Sequence, residues 1–164
     1  MKNSTLQYVL PLLALIMGLS VYVLFNINTA YDAETVSGEK IVWQQKKGKW
    51  LVVNFFAQWC APCLREIPEL NRFNQGVSEN TEVYMVSFDA LDKATLQRII
   101  EQYTIEVPVI VTNTETALPV AYPAGLPATY IISPNGQIKE EILGEVKADQ
   151  LNALLSQHKS AFDN

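Results

Sequence analysis

Between Leu51 and Phe56 the chain is apolar at every position but Asn54, and four residues beyond Phe56 it reads Cys60-Ala61-Pro62-Cys63. A run this short, rich in β-branched and aromatic residues, reads as a buried strand. After the second cysteine, Ile67, Leu70 and Phe73 recur at helical spacing with Arg65, Glu66, Glu69 and Arg72 between them, up to Gly76. The cysteines therefore fall at a strand-to-helix turn. Pro62 suits the first helical turn, where its fixed φ fits and its missing N–H is not needed. At the helix N-terminus, unpaired amides and the macrodipole favour thiolate over thiol, lowering the pKa of Cys60 from about 8.5 toward about 7. Cys60 is the candidate attacking sulfur, and Cys63, one turn deeper, the candidate resolving sulfur.

The same residues admit two plainer readings. A structural bridge between such close neighbours removes little entropy from the unfolded chain. A metal site would want about four ligands, and the chain offers Cys60, Cys63 and the distant His158. A redox-active Cys60-Cys63 disulfide, with no metal and no separate cofactor, is the expectation.

A net charge of -5 without a large Lys/Arg cluster argues against nucleic-acid binding. From Tyr8 to Phe25 there is no charged residue, about the minimum length for a membrane span. A cleaved signal peptide usually has a shorter apolar stretch and a small-x-small site, and the flank Asn26-Ile27-Asn28-Thr29-Ala30 lacks one. A buried core helix is disfavoured by Pro11, Gly18 and the absence of a polar face. An uncleaved anchor over residues 1–30 is expected, with Lys2 inside and Asp32 and Glu34 outside, so that later residues lie outside the cytoplasm. Asn3-Ser4-Thr5 matches a glycosylation acceptor but falls on the wrong side for it.

Residues 31–37 read as a polar tether and 38–164 as the folded domain. Ile41-Val42-Trp43 suggests a short edge strand before the central run Trp50 to Phe56, which is apolar on both faces as if covered by helices on two sides. Pro68 falls inside the helix after the cysteines. Val83 to Phe88 reads as a strand, Asp92 as the cap of a helix with Leu96, Ile99, Ile100 and Tyr103 inward, Val107 to Thr112 as a strand, and Thr116 to Tyr122 as a short helical turn. Pro134-Asn135-Gly136 joins two β-rich runs, Ala128 to Ser133 and Gln137 to Leu143, as a hairpin. Ala148 to Phe162 closes the chain as a helix with Leu151, Leu154 and Leu155 inward and His158 solvent-exposed near its C-terminus.

Trp59-Cys60-Ala61-Pro62-Cys63, Pro68 and Gly125-Leu126-Pro127-Ala128-Thr129-Tyr130-Ile131-Ile132 together resemble the thioredoxin superfamily, and in particular its membrane-anchored TlpA/ResA/DsbE (CcmG)-like branch. The resemblance spans about residues 38 to 160. It implies a thioredoxin fold, a central mixed sheet flanked by helices, preceded here by one transmembrane helix and carrying an inserted strand and helix in either Val83 to Tyr103 or Val107 to Tyr122. It further implies a cis Pro127 facing the dithiol, with Leu126 presenting its backbone to an extended partner. Trp59, Ala61, Pro62, Leu126 and Pro127 are the expected substrate-binding residues. Asn54 stands where cytosolic thioredoxins carry a buried Asp. Glu66 matches a glutamate near the dithiol of ResA-like proteins, where a carboxylate whose pKa is raised by desolvation would accept the proton of the buried thiol. Against this stands an exposed Glu66 paired with Arg65 or Arg72. Pro123-Ala124 departs from the Gly-x pair more usual before Gly125.

The resemblance implies a thiol:disulfide oxidoreductase on the periplasmic side of a bacterial cytoplasmic membrane. It would reduce disulfides of cysteine-containing extracytoplasmic proteins, apocytochrome c among them, with electrons from an integral membrane thiol carrier of the DsbD/CcdA type. A dithiol oxidase or isomerase and a non-catalytic binding or chaperone module are the alternatives. Ala61-Pro62 adds no charge to Cys60, which favours a disulfide less easily reduced.

Overall fold

The structure, a computed structural model, describes the backbone of residues 4–27 and 31–162, and side chains over 8–22 and 31–162. The chain divides after Tyr31 into two compact units. In the first, helix α1 (Ser4–Ile27) runs through Pro11, and the side chains described within it are exposed. Among the described residues no helix is long and apolar enough to cross a membrane. Residues 1–3 and 28–30, and with them parts of the Asn26 to Ala30 flank and of the Asn3-Ser4-Thr5 triplet, lie outside the described residues.

The second unit is a seven-stranded mixed sheet with helices. Its elements are β1 (Ala33–Thr35), β2 (Lys40–Ile41), a 3-10 turn (Trp43–Lys46), β3 (Trp50–Phe56), α2 (Ala61–Gly76), β4 (Thr81–Ser87), α3 (Lys93–Tyr103), β5 (Val109–Val111), β6 (Ala128–Ile132), β7 (Ile138–Leu143) and α4 (Ala148–Phe162). The sheet order is β2-β1-β5-β4-β3-β6-β7. β3 lies parallel to β4 and antiparallel to β6, so the parallel pairing its sequence suggests holds on one side only.

Strand alternation sorts β3 between two apolar clusters. Trp50, Val52 and Phe56 join Ile67, Leu70 and Phe73 of α2, Leu96 and Ile99 of α3, and Leu151 and Leu155 of α4. Leu51, Val53 and Phe55 join Ile41, Tyr84, Ile110 and Tyr130, with Trp43 and Leu118 packed against them. The expectation of helices on both faces is thus corrected: α2, α3 and α4 all contribute to the first cluster, and the second is closed by the 3-10 turn and the 112–127 segment. Each fully buried Leu or Phe here contributes about 2 kcal/mol. Period 2 places Asn54 on the α2 side, and Thr129, its partner in the β3–β6 register, faces the same way.

Several local expectations are corrected by tertiary pairing. The 31–37 tether is part of the sheet, because Ala33–Thr35 pair with both β2 and β5. The helical turn expected at Thr116 to Tyr122 is an irregular segment with a bend at Pro119 and Val120 and no helix, so only Val83 to Tyr103 supplies a strand and a helix together. His158 is not free in solvent: its Nε2 lies 3.1 Å from Glu140 Oε2 on β7. The Asp92 cap, the Gly136 hairpin turn and the bounds of α4 match the sequence. α2 continues through Pro68, on its exposed side, to Gly76.

Candidate active site

β3 delivers the chain to Ala57, and α2 starts after Cys60, its N-cap residue. Cys60 and Cys63 are joined as a disulfide, S–S 2.02 Å with Cα atoms 5.3 Å apart, and Cys60 Sγ accepts from the Cys63 N–H at 3.3 Å. That bond is the local form of the expectation that orphan amides at the helix start stabilise Cys60 sulfur. Cys60 is 6% exposed and Cys63 fully covered, at 0%, which fits an attacking and a resolving sulfur.

The rim is apolar. Trp59 is 67% exposed, its indole N–H donating to Asp89 Oδ2 at 2.8 Å and its ring standing edge-on to Phe88, centroids 6.4 Å apart. Phe88 meets Tyr122 at 5.7 Å, and Tyr122 meets Phe55 at 5.4 Å. Ala61 is exposed and Pro62 half-buried beside the disulfide. The Leu126–Pro127 peptide is cis, and the register pairing Phe55 with Ala128 sets Pro127 next to the end of β3. The structure thus brings Trp59, Ala61, Pro62 and both sulfurs to one end of the sheet, with Leu126 and Pro127 at the start of the neighbouring strand.

Behind the disulfide lies a polar pocket within the apolar core. Glu66, one helical turn from Cys63, is 2% exposed and pairs with neither Arg65 nor Arg72: Arg65 bonds Glu145, and Arg72 bonds Glu69. Glu66 Oε1 accepts from Asn54 Nδ2 at 2.8 Å and Oε2 from the Val146 N–H at 2.9 Å. Asn54 Nδ2 also donates to Thr129 Oγ1 at 3.0 Å. Burial pushes the Glu66 carboxyl up to about 7; the Val146 and Asn54 hydrogen bonds oppose it and the Glu145 charge adds to it. The same helix grips the β7–α4 turn a second time, Glu69 Oε2 accepting from the Ala148 N–H at 2.9 Å, and that bond, placing a carboxylate at the N-terminus of α4, holds Glu69 below the usual range.

Thr129 and Val146 are the members of the pocket that sequence reasoning misses. Thr129 has a signal in the period of β6, since it faces the same side as Asn54. Val146 has none, because it acts through its backbone N–H. Among the described residues no group of three or more His, Cys, Asp or Glu could hold a metal ion.

A mixed sheet whose central strand runs into a Cys-x-x-Cys disulfide at a helix N-terminus, beside a cis X-Pro bond, defines a thioredoxin-like thiol-disulfide oxidoreductase whose redox centre is Cys60-Cys63. Residues 26–141 match the AhpC/TSA family, and the chain belongs to it. It is 30% identical over 122 residues to the thiol-disulfide oxidoreductase ResA of Bacillus cereus, covering 73% of this chain and 69% of that one. It is 27% identical over 128 residues to the thioredoxin-like protein YneN of Bacillus subtilis, covering 76% and 74%. The crystal structure of StoA from Bacillus subtilis superposes with a TM-score of 0.66 at 20% identity, over 76% of this chain and 95% of that one.

Proposed function

We propose that this enzyme works as a reductase: a dithiol held at the outer face of a bacterial cytoplasmic membrane that opens disulfides in extracytoplasmic client proteins, apocytochrome c among the candidates. The observation that carries this reading is the setting of the disulfide, with Ala61 and Pro62 supplying no charge to Cys60 and the buried Glu66 one turn behind Cys63. An ionised carboxylate there disfavours a second negative charge, so the thiolate pair is not strongly stabilised and the disulfide resists reduction. The potential expected is below roughly -200 mV.

In the reaction, the Cys60 thiolate attacks the client disulfide, forming the mixed disulfide and releasing one client sulfur as thiolate. The Cys63 thiol then gives its proton to Glu66 and attacks Cys60 Sγ, closing the Cys60–Cys63 bond as the second client sulfur leaves. Trp59, Ala61, Pro62, Leu126 and Pro127 hold the client chain, Leu126 through its backbone. Electrons return from an integral membrane thiol carrier of the DsbD/CcdA type. The uncharged run Tyr8 to Phe25, within α1, supports a single anchor that keeps the dithiol beside that carrier and raises their effective concentration.

Trapping and titration test this. Cys63→Ala is expected to hold clients as mixed disulfides through Cys60, and alkylation of the in-cell pool to find wild type largely reduced. A potential near the strong-oxidant value of about -120 mV, with the pair oxidised at rest, reverses the direction.

A further inference from the structure

The buried polar pocket contains an unspent acceptor. Asn54 is fully buried, and its Nδ2 makes two hydrogen bonds while its Oδ1 has no partner among the described residues. A buried carbonyl oxygen left unpaired is costly, and such atoms are rare in folded proteins. Around it, hydrogen-bond polarity favours one change. Glu66 Oε2 faces the Val146 backbone N–H, which can only donate. A proton on Oε1, the oxygen that faces Asn54 Nδ2, leaves the Val146 bond to Oε2 undisturbed. In the present orientation of Asn54 a proton there would set two donors against each other.

We propose that Asn54 and Thr129 form a proton-linked hydrogen-bond switch behind the dithiol, the Asn54 side-chain amide turning over when Glu66 takes up a proton. With Glu66 ionised, Nδ2 donates to Glu66 Oε1 and to Thr129 Oγ1. With Glu66 protonated, Oδ1 occupies that place and accepts from the Glu66 O–H and from the Thr129 hydroxyl, which serves either role. The exchange of O for NH2 is almost isosteric, so no backbone needs to move. The orphan acceptor thus marks the second state. An Asp at 54 could not donate in the first state, and an Ala could serve neither. Asn54 and Thr129 are positioning residues: they let Cys63 hand over its proton without setting the Glu66 O–H and the Asn54 amide N–H donor against donor.

The charged groups around Glu66 are few. On α2 these are Arg65, Glu69 and Arg72, on the β7–α4 turn Glu145 and Lys147, and in the first turn of α4 Asp149. Arg65 is bonded to Glu145, and Arg72 to Glu69 with Asp149 at 3.6 Å. Asn54 of β3 and Thr129 of β6 bring no titratable group.

The inference rests on the reading of Glu66 as proton acceptor, and nuclear magnetic resonance of the full chain in detergent micelles separates the two. The Glu66 carboxyl carbon and the Asn54 side-chain amide are followed from pH 5 to 9 in the oxidised protein. Both are expected to titrate with one midpoint. In Glu66→Gln, whose Oε1 must accept from Val146 N–H and whose Nε2 must then donate toward residue 54, the Asn54 amide is expected to stay at its low-pH wild-type position at every pH. Asn54→Ala is expected to raise the Glu66 midpoint by about one unit, because the bond lost to the ionised form is stronger than the one lost to the neutral form. A Glu66 that titrates beside a flat Asn54 amide overturns the switch and leaves the proton acceptor standing. A Glu66 that does not titrate in this range overturns both.

Discussion

Two glutamates, Glu66 buried and Glu82 half-buried, show how partner type decides what a carboxylate drawn out of water becomes. Glu66, behind the dithiol, and Glu82, at the start of β4, are both pushed upward by burial. Glu82 meets cations: Lys49 Nζ at 2.6 Å and Lys46 Nζ at 2.7 Å, with the Tyr84 hydroxyl donating at 2.6 Å. Those bonds overcome the burial effect and bring it to about 2. Glu66 meets only dipoles, one amide and one N–H, and is left at about 7. A full charge on the partner favours ionisation far more than a neutral donor does. The first arrangement fixes a permanent charge in a staple between β4 and the Lys46-Lys47-Gly48-Lys49 segment. The second leaves a proton free to come and go near neutral pH, which is what an acid–base group needs.

Glu66→Gln is expected to slow the resolving step at pH 7 by about 100-fold, read by stopped-flow decay of a mixed disulfide. The same variant is expected to raise stability at pH 8 by about 2 kcal/mol in urea unfolding of the oxidised protein, since a carboxylate ionised against its environment is removed. Because Glu66 folds with a raised pKa, its contribution to stability is full below its ordinary 4.5 and is lost as pH rises through about 7. Equal stability of variant and wild type at pH 8 would show that Glu66 is solvated rather than buried.

Glu82 behaves in the opposite sense. Its lowered pKa makes its contribution full above 4.5 and lost as pH falls through about 2, so from these two groups alone stability is greatest near pH 4.5. Glu82→Gln is expected to cost about 2 kcal/mol at pH 7, less than a wholly buried pair because Lys49 is part-exposed. The pH profile of Cys63 alkylation in the reduced protein should not move. A shifted profile would mean that the two glutamates are coupled.

The smallest effect sharpens the balance at Glu66 itself. Glu145→Gln removes the nearby negative charge and frees Arg65, so the Glu66 midpoint is expected to fall by a few tenths of a unit. Carbon-detected titration measures it, and a rise would assign the dominant influence of Glu145 to something other than its charge.

The parts of this protein that depend on neighbours along the chain are legible in its amino-acid order. The Leu51 to Phe56 run, the cysteines at a helix start, the Asp92 cap, the hairpin at Gly136 and helix α4 are all written in local spacing, because strand alternation, capping and turn chemistry act within a few residues. The family resemblance carries Pro127, and its cis bond is present. Tertiary structure alone decides the rest. Residues 33–35 look like linker because three residues carry no period, and β5, distant in the chain, makes them a strand by pairing Glu34 with Val111 and Thr35 with Ile110. Val120 and Leu118 need no helix to be covered, because they pack against the sheet. Spacing alone reads Glu66, between Arg65 and Arg72, as a surface charge, while the family resemblance sets a desolvated carboxylate near the dithiol against that reading; the meeting of α2 with β3, β6 and the turn at Val146 is what takes it out of water. Burial is a property of what folds over a residue, and no spacing along one helix contains it.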